Sequence, residues 1–263
     1  MNRLFVTTLF ILIAVTPLRA ECDSSAHWYI NLQGGIGYGL YRDLGASPLT
    51  YRGLQLHPGI SLLLQKPDWR YEAMFQADGG AYGLRLGVDY IQAYGGHPRL
   101  GIRALHNVFD NSHWHLWAGG SVEDLFDIRY NASLGNASAA FGNFARLNVE
   151  SCVEYSLCRW LFYAHIQLNA LSLHMRPGFA YMDNFDQNIA SPTANTFDQY
   201  RSYLAIATGA MTDVGATLML ANGNRIGVSY RWSYLTSRTT HAAPHLFECA
   251  DHALLFLIGL KLN

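Results

Sequence analysis

The sequence predicts an all-β protein, a transmembrane antiparallel up-and-down β-barrel of ten strands, with twelve or eight strands as alternatives. Three observations favour this class. Apolar and polar residues alternate along the chain, the alternating segments reach the 9 to 11 residues that a membrane strand needs, and only 14% of the 263 residues are charged, against about a quarter in soluble proteins. In lipid, strands satisfy their backbone groups only in a closed barrel. A secreted soluble β-protein is the alternative class.

The composition excludes several other classes. Half of the residues are apolar and the net charge is -1, whereas disorder needs low hydrophobicity and high net charge. A nucleic-acid-binding protein would show a basic stripe, so no nucleic-acid partner is expected. The mean hydropathy of +0.04 is too low for a bundle of membrane helices. After the N-terminal segment, no run reaches the ~20 apolar residues of a membrane helix.

Residues 1–20 are expected to be a signal peptide, which leaves residues 21–263 as the barrel. Arg3 supplies the positive charge, the apolar stretch 4–15 has a suitable length, and cleavage is expected after Ala20. A retained anchor and lipidation of Cys22 are the alternatives, and Glu21 disfavours the second. The expected location is the bacterial outer membrane, with lipid as a partner.

The predicted strands follow from period-two alternation, which puts apolar residues on one face. The first spans 28–41, the second 54–65 and the third begins at 69. Residues 225–234 and 254–262 give two more. The polar face carries Gly, Arg, Glu and Gln, as a barrel lumen does, and Trp and Tyr stand near strand ends, as in lipid-facing girdles.

Turns and loops give the strand count. Short turns are predicted at 66–68, 110–112, 156–158 and 221–224, and longer outer loops at 42–50, 79–83, 131–138, 175–200 and 239–250. Four turns and five loops make ten strands. Residues 84–109 are expected to form one strand, kinked at Gly95–Gly96. A hairpin at 95–98 would instead give twelve strands.

The alternation also assigns a polar cluster to the lumen. Both charge signs occur in similar number, and arginine fits bidentate pairing with carboxylates. A barrel of eight strands is filled by its side chains, and ten strands is only slightly wider. We therefore expect a plugged or very narrow lumen, with a small passive channel for polar solutes as the alternative. The predicted lumen residues are Arg70, Glu72, Asp78, Arg85, Asp89, Arg99, Arg103, Arg146, Glu150, Glu154, Arg225 and Arg231.

No catalytic, cofactor or metal site is predicted, and the protein is expected not to be an enzyme. His113 and His115 bracket Trp114 and so share the lumen face; such a pair can hold a metal, but satisfied histidines are commoner. The chain contains neither G-x-S-x-G nor H-E-x-x-H. An outer-rim hydrolase acting on protein or lipid is the second alternative function.

A disulfide between Cys152 and Cys158 is one alternative in an oxidising envelope. The two residues flank a turn, but the alternation opposes their pairing: Cys152 falls on the lumen face, whereas Cys158 shares its parity with outward Trp160. A slip inside the turn would permit it. Cys22 and Cys249 are expected at opposite rims and unpaired.

Two segments carry a family resemblance. Asn131–Ser138 (NASLGNAS) precedes a strand rich in Phe, Asn and Arg, and 175–181 (MRPGFAY) follows another. With the N-terminal segment, they resemble uncharacterised outer-membrane barrel proteins of the Bacteroidota type. The resemblance implies a fold and a Gram-negative outer membrane, and it implies no functional residues.

The predicted role is therefore structural, or that of a partner subunit in an envelope assembly. Loop 175–200 is the longest irregular segment, and long loops are often functional. It is expected to contact other envelope proteins or to fold over the mouth of the barrel, with a tolerated surface insertion as the alternative.

Overall fold

The structure is a computed structural model that describes residues 26–44, 47–86, 89–131, 139–177, 200–238 and 246–262. The predicted signal peptide and most of loop 175–200 lie outside these residues. No helix in the described ranges is long and apolar enough to cross a membrane. The strands there are β1 His27–Asp43, β2 Ser47–Leu56, β3 Gly59–Gln65, β4 Trp69–Gln76, β5 Gly79–Leu86, β6 Asp89–Gly96, β7 Arg99–Asp110, β8 Trp114–Tyr130, β9 Ala139–Leu157, β10 Trp160–Pro177, β11 Tyr200–Ile206, β12 Gly209–Met219, β13 Arg225–Arg238 and β14 Leu246–Lys261.

The fourteen segments in the described residues form a closed ring of ten barrel strands. Four barrel strands each consist of two segments separated by two residues: β2 with β3, β4 with β5, β6 with β7, and β11 with β12. All pairings are antiparallel, and β1 pairs with β14 on one side and with β2 and β3 on the other. The ring is therefore closed. The predicted class and the count of ten strands are confirmed.

The break between β6 and β7 is a kink and not a hairpin. Both segments pair with the same edge of β8 in one continuous direction, with Gly96 opposite Ile128 and Arg99 opposite Leu125. The backbone N–H of Phe126 donates to the carbonyl of Pro98, which carries the pairing across the break. The twelve-strand alternative, which needed a hairpin here, is wrong.

The predicted outer loop at 79–83 is also wrong, because these residues belong to strand β5. The glycines that suggested a loop instead permit close approach of β2 and β5. A Cβ at Gly53 would lie 1.9 Å from the carbonyl oxygen of Ala81, and one at Gly80 would lie 2.0 Å from that of Leu54. The third barrel strand accordingly ends at Leu86, and the strand predicted at 84–109 begins instead at Asp89.

The outer face of the ring is apolar over the height of a bilayer. Trp69, Trp114 and Trp160 are exposed at the ends of strands that follow short turns, which lie on the periplasmic side of such barrels. Ten residues further along β8, Asp124 accepts a 2.5 Å hydrogen bond from Asn143 on the outer face. Ten tilted residues rise about 25 Å, the height of the lipid-facing band. β8 continues past this level to Tyr130, so the barrel wall projects beyond the membrane.

Candidate functional site in the barrel lumen

Polar and aromatic side chains fill the lumen in three layers, which we name from the periplasmic end. The lower layer contains the charges of β4, β7, β9 and β13. The middle layer surrounds Asp78 and His97. The upper layer contains an aromatic cluster and the charges above it. Ten of the twelve predicted lumen residues have described side chains, and all ten are buried or half-buried; the side chains of Arg85 and Asp89 lie outside the described set.

An arginine–glutamate pair spans the lower layer. Arg70 on β4 forms two hydrogen bonds with Glu154 on β9, of 2.5 and 2.7 Å. The indole N–H of Trp117 donates to Glu154 at 3.0 Å, and the Arg70 guanidinium lies 3.8 Å from the centroid of the Trp117 ring. Because β4 and β9 are not neighbours in the ring, this pair crosses the interior.

The other lower-layer arginines have different surroundings. Arg103 bonds Glu72 at 2.9 Å and also contacts Glu150. Arg231 bonds Asp213 at 2.8 Å. Arg225 has no carboxylate partner among the described residues and lies over the ring of Tyr29, described below. The remaining space is a cavity of about 190 Å³.

Breaks in three adjacent barrel strands direct side chains into the middle layer. Asp78 and His97 both lie in such breaks, where the backbone N–H of His97 donates to the carbonyl of Asp78 at 2.7 Å. The two side chains are 2.5 Å apart, and Arg99 donates to the second oxygen of Asp78 at 3.0 Å. On the neighbouring strands β8 and β9, Arg146 bonds Glu123, which faces it directly, at 2.6 Å. Only about 30 Å³ of cavity remains here, the volume of one water molecule in the liquid.

An aromatic cluster closes the upper layer. Tyr41 stacks on Tyr51 with ring centroids 5.1 Å apart and meets Tyr82 edge-on at 4.9 Å. Phe144 stacks on Phe247 at 5.9 Å, and neither ring has any exposed surface. Leu125, Leu235 and Cys249 pack into the same cluster. These side chains pack against one another inside the barrel, as residues of a protein core do.

Charged residues lie above the aromatic cluster. Asp43 accepts a 2.7 Å hydrogen bond from Arg129 and another of 2.7 Å from Arg176. The two guanidinium groups lie 4.9 and 4.7 Å from the ring centroid of Phe247. Arg129 also bonds Asp127, whose side chain is fully buried.

Sequence reasoning did not place the upper charges in the lumen. Asp43 and Arg176 lie inside predicted outer loops, yet both belong to strands. Asp127 and Arg129 could have been found, since they share the parity of Trp117 along β8. The middle-layer His97 could also have been found, because its parity matches that of Arg99 on the next segment.

A serine and a histidine also meet in the upper lumen. The Ser237 hydroxyl lies 3.0 Å from Nδ1 of His174, and Tyr203 bonds the same hydroxyl. A serine nucleophile needs such a base, held in turn by a third group. Among the described residues, Nε2 of His174 has no hydrogen-bond partner. The arrangement therefore lacks the orienting group of a catalytic triad.

The disulfide considered from the sequence is absent between the described cysteines. Cys152 is buried in the lumen and Cys158 is exposed, and both thiols are free. Cys158 lies in the turn itself, with a φ of 54°. The two side chains point to different sides of the wall, as the alternation indicated, and the turn contains no slip that reverses this.

The two histidines around Trp114 do not form a joint site. His113 is exposed in the turn, whereas His115 is half-buried and lies 2.7 Å from Asp110. In the part of the chain that the structure describes, no group of three or more His, Cys, Asp or Glu side chains is placed to hold a metal ion.

Comparisons with known proteins agree with this architecture. No protein-family model matches the chain, and no curated protein sequence matches it significantly. The fold is similar to that of the outer membrane protease OmpT from Escherichia coli, with a TM-score of 0.50 and 7% identity over 90% of this chain and 96% of that one. Weaker likeness is found to the toluene transporter TodX of Pseudomonas putida (TM-score 0.33, 9% identity, 92% and 90% covered).

The attachment invasion locus protein Ail of Yersinia pestis is similar at a TM-score of 0.30, with 9% identity over 88% of this chain and 98% of that one. At these identities the likeness shows the fold alone. A closed ten-stranded ring with an apolar band on its outer face is the architecture of an outer-membrane barrel. The chain is a β-barrel protein of the bacterial outer membrane.

Proposed function

We propose that this protein is a non-conducting outer-membrane barrel that serves as a structural or partner subunit of an envelope assembly. One observation carries the proposal: the protein's own side chains fill the upper lumen. The aromatic cluster and the charges around Asp43 lie in the path that a solute would follow. A small passive channel would need an opening through both.

The charge pairs support the same reading of the interior. Arg70, Arg103 and Arg146 each bond a glutamate on another strand. Such pairs are buried or nearly so, and removing one partner of a buried pair typically costs about 3–5 kcal/mol. Charges paired in this way stabilise the barrel wall, and they are not free to line a water-filled path.

The projecting wall favours a role at the outer surface. β10 ends at Pro177, just before segment 178–199, and Arg176 is bonded to Asp43 at that point. The base of loop 178–199 is thus fixed to the opposite side of the barrel. A fixed base lowers the entropy that a binding loop loses on contact, which supports contact with other envelope proteins.

Single-channel recording tests the closed lumen. Refolded wild-type protein in a planar lipid bilayer should give no stable conductance steps. The fold is verified in the same preparation by heat-modifiable gel mobility, since an intact barrel and a boiled chain migrate differently. Regular conductance steps from folded wild-type protein would overturn the non-conducting assignment.

Co-purification tests the partner role. A variant in which residues 179–198 are replaced by a short Gly-Ser linker should lose a protein that co-purifies with the wild type from native membranes. The matched control replaces residues 240–244, another outer segment, and should keep that protein. If wild type and both variants purify alone, the partner role is wrong. The absence of enzyme activity and the likeness to Bacteroidota-type proteins stay predictions.

A further inference from the structure

The lower-layer cavity has the size of a binding site for a small molecule. Its volume is about 190 Å³, and a protein cavity of about 150 Å³ is large enough to bind benzene. Leu63, Leu105 and Leu257 contribute apolar surface, while arginines, carboxylates and neutral polar groups line most of the remaining wall. Ligand pockets combine apolar surface with polar groups that fix the orientation of the ligand, and this wall offers both.

One arginine in this wall differs from the others. Arg70, Arg103 and Arg231 each have a carboxylate partner, but the structure describes none for Arg225. Its guanidinium carbon lies 3.6 Å from the centroid of the Tyr29 ring. Its Nε and Nη2 atoms are buried and have no hydrogen-bond partner among the described residues.

An unpaired buried arginine donor is costly. The Tyr29 ring compensates part of the charge through its negative face, but it accepts no conventional hydrogen bond from the N–H groups. A buried donor that has no acceptor loses its hydrogen bonds to water and gains none in return, so its full desolvation free energy is unfavourable to folding. Arg225 lines the cavity, and a rotation of its guanidinium away from the Tyr29 ring would bring these donors to an anion there. A carboxylate or phosphate matches the guanidinium geometry.

The glutamates in the wall do not oppose an anion strongly, because their charges are already engaged. Glu154 is held by Arg70, and Glu72 by Arg103. Arg225 follows directly after the turn at 220–224, at the periplasmic end of β13. A ligand would therefore enter from the periplasm, below the closed upper layer.

We propose that the lower cavity binds a small organic anion, a carboxylate or phosphate ester with a compact apolar group. Its acidic group would bond Arg225, and its apolar part would contact the leucines. This inference goes beyond the proposed function, because a non-conducting partner subunit needs no ligand. Failure of either one leaves the other standing.

Isothermal titration calorimetry in nonionic detergent tests the site, with benzoate and phenyl phosphate as probes. Binding of one probe and not the other would separate a carboxylate site from a phosphate site. Benzamide, which has the same size and no charge, should bind at least about tenfold more weakly, as expected for loss of a charged hydrogen bond. Inorganic phosphate tests whether the apolar group is needed.

Three variants locate the binding. Arg225→Gln should weaken the favoured probe at least about tenfold. Thr217→Met adds bulk to the cavity wall and should also weaken binding while Arg225 remains. Arg52→Gln, an exposed arginine on the outer face, should leave the affinity unchanged.

Several results would overturn the proposal. These are no binding of benzoate or phenyl phosphate to wild type at millimolar concentration, equal affinity for benzamide, or full affinity in folded Arg225→Gln. If Arg225→Gln fails to fold, the benzamide comparison and Thr217→Met decide the matter alone.

Discussion

Arg129 and Asp43 meet across the top of the lumen although their strands, β8 and β1, are not neighbours in the ring. Arg129 Nη2 lies 2.7 Å from Asp43 Oδ2, and Arg176 on β10 donates to the same oxygen at the same distance. One carboxylate thus links three barrel strands. The aspartate is 7% exposed in its side chain, so solvent screens these contacts weakly.

Asp43→Asn should lower the free energy of unfolding by about 3–5 kcal/mol, because two buried guanidinium groups lose their shared charge. Urea unfolding in detergent, followed by tryptophan fluorescence, measures the change. Glu248→Gln is the matched control: its pair with Arg42 is about a third exposed and should contribute less than about 1 kcal/mol. Equal losses in both variants would contradict the central role of Asp43.

The double variant Phe144→Ala, Phe247→Ala should conduct ions. It removes two fully buried rings from the aromatic cluster, and with Phe247 it also removes the ring on which Arg129 and Arg176 stack. Planar-bilayer recording would show conductance steps that are absent in wild type. Phe162→Ala, Phe256→Ala is the control, since these rings are 42% and 57% exposed on the outer face. A double variant that folds but gives no conductance steps would show that the aromatic cluster does not close the path.

The described cysteines should differ sharply in reactivity. In folded protein, a maleimide reagent should label Cys158, which is exposed, and leave the buried Cys152 and Cys249 unlabelled. Denaturation should make all three reactive, as peptide mass spectrometry after digestion would show. A disulfide-linked peptide pair of Cys152 and Cys158 in non-reduced protein would contradict the free thiols.

Gly53→Ala should lower the free energy of unfolding by about 1–3 kcal/mol, because the new methyl group meets the Ala81 carbonyl and forces β2 from β5. Gly34→Ala is the control, since no atom lies within 4 Å of a Cβ there. It should leave stability unchanged or raise it by up to about 1 kcal/mol. Equal behaviour of the two variants would mean that β2 and β5 lie further apart.

The ten-strand count could be predicted from the sequence because the outer connection expected at 79–83 exists but is misplaced: the third barrel strand ends at Leu86 and the fourth begins at Asp89. A two-residue break keeps the parity of the side chains, so Arg70 and Tyr82, on either side of the break at 77–78, both face inward. The alternation assigned Arg70 and Glu72 to the lumen, whereas buried Tyr82 fell in the predicted loop at 79–83 and was not assigned. The boundary near 87–88 was missed because glycines needed for close strand approach look like a loop in the sequence.

Two charged residues of the upper layer, Asp43 and Arg176, could not be predicted for a different reason. Strands that extend beyond the lipid band no longer need apolar outer faces, so their apolar–polar alternation is lost. Asp43 and Arg176 therefore occur in segments whose sequences resemble loops. The partners of each arginine also depend on which residues face each other across the ring. That relation follows from the stagger of the strands, which alternation along a single strand does not encode.

The seam between β1 and β14 has a consequence for how the protein is made. It runs for fifteen facing pairs, from Tyr29 opposite Lys261 to Asp43 opposite Phe247. Partners more than two hundred positions apart must find each other, which makes closure a slow, late event in folding. Until then, β1 presents an unpaired edge that other chains could join. Newly exported chains therefore need protection from pairing with other chains until the seam between β1 and β14 has closed.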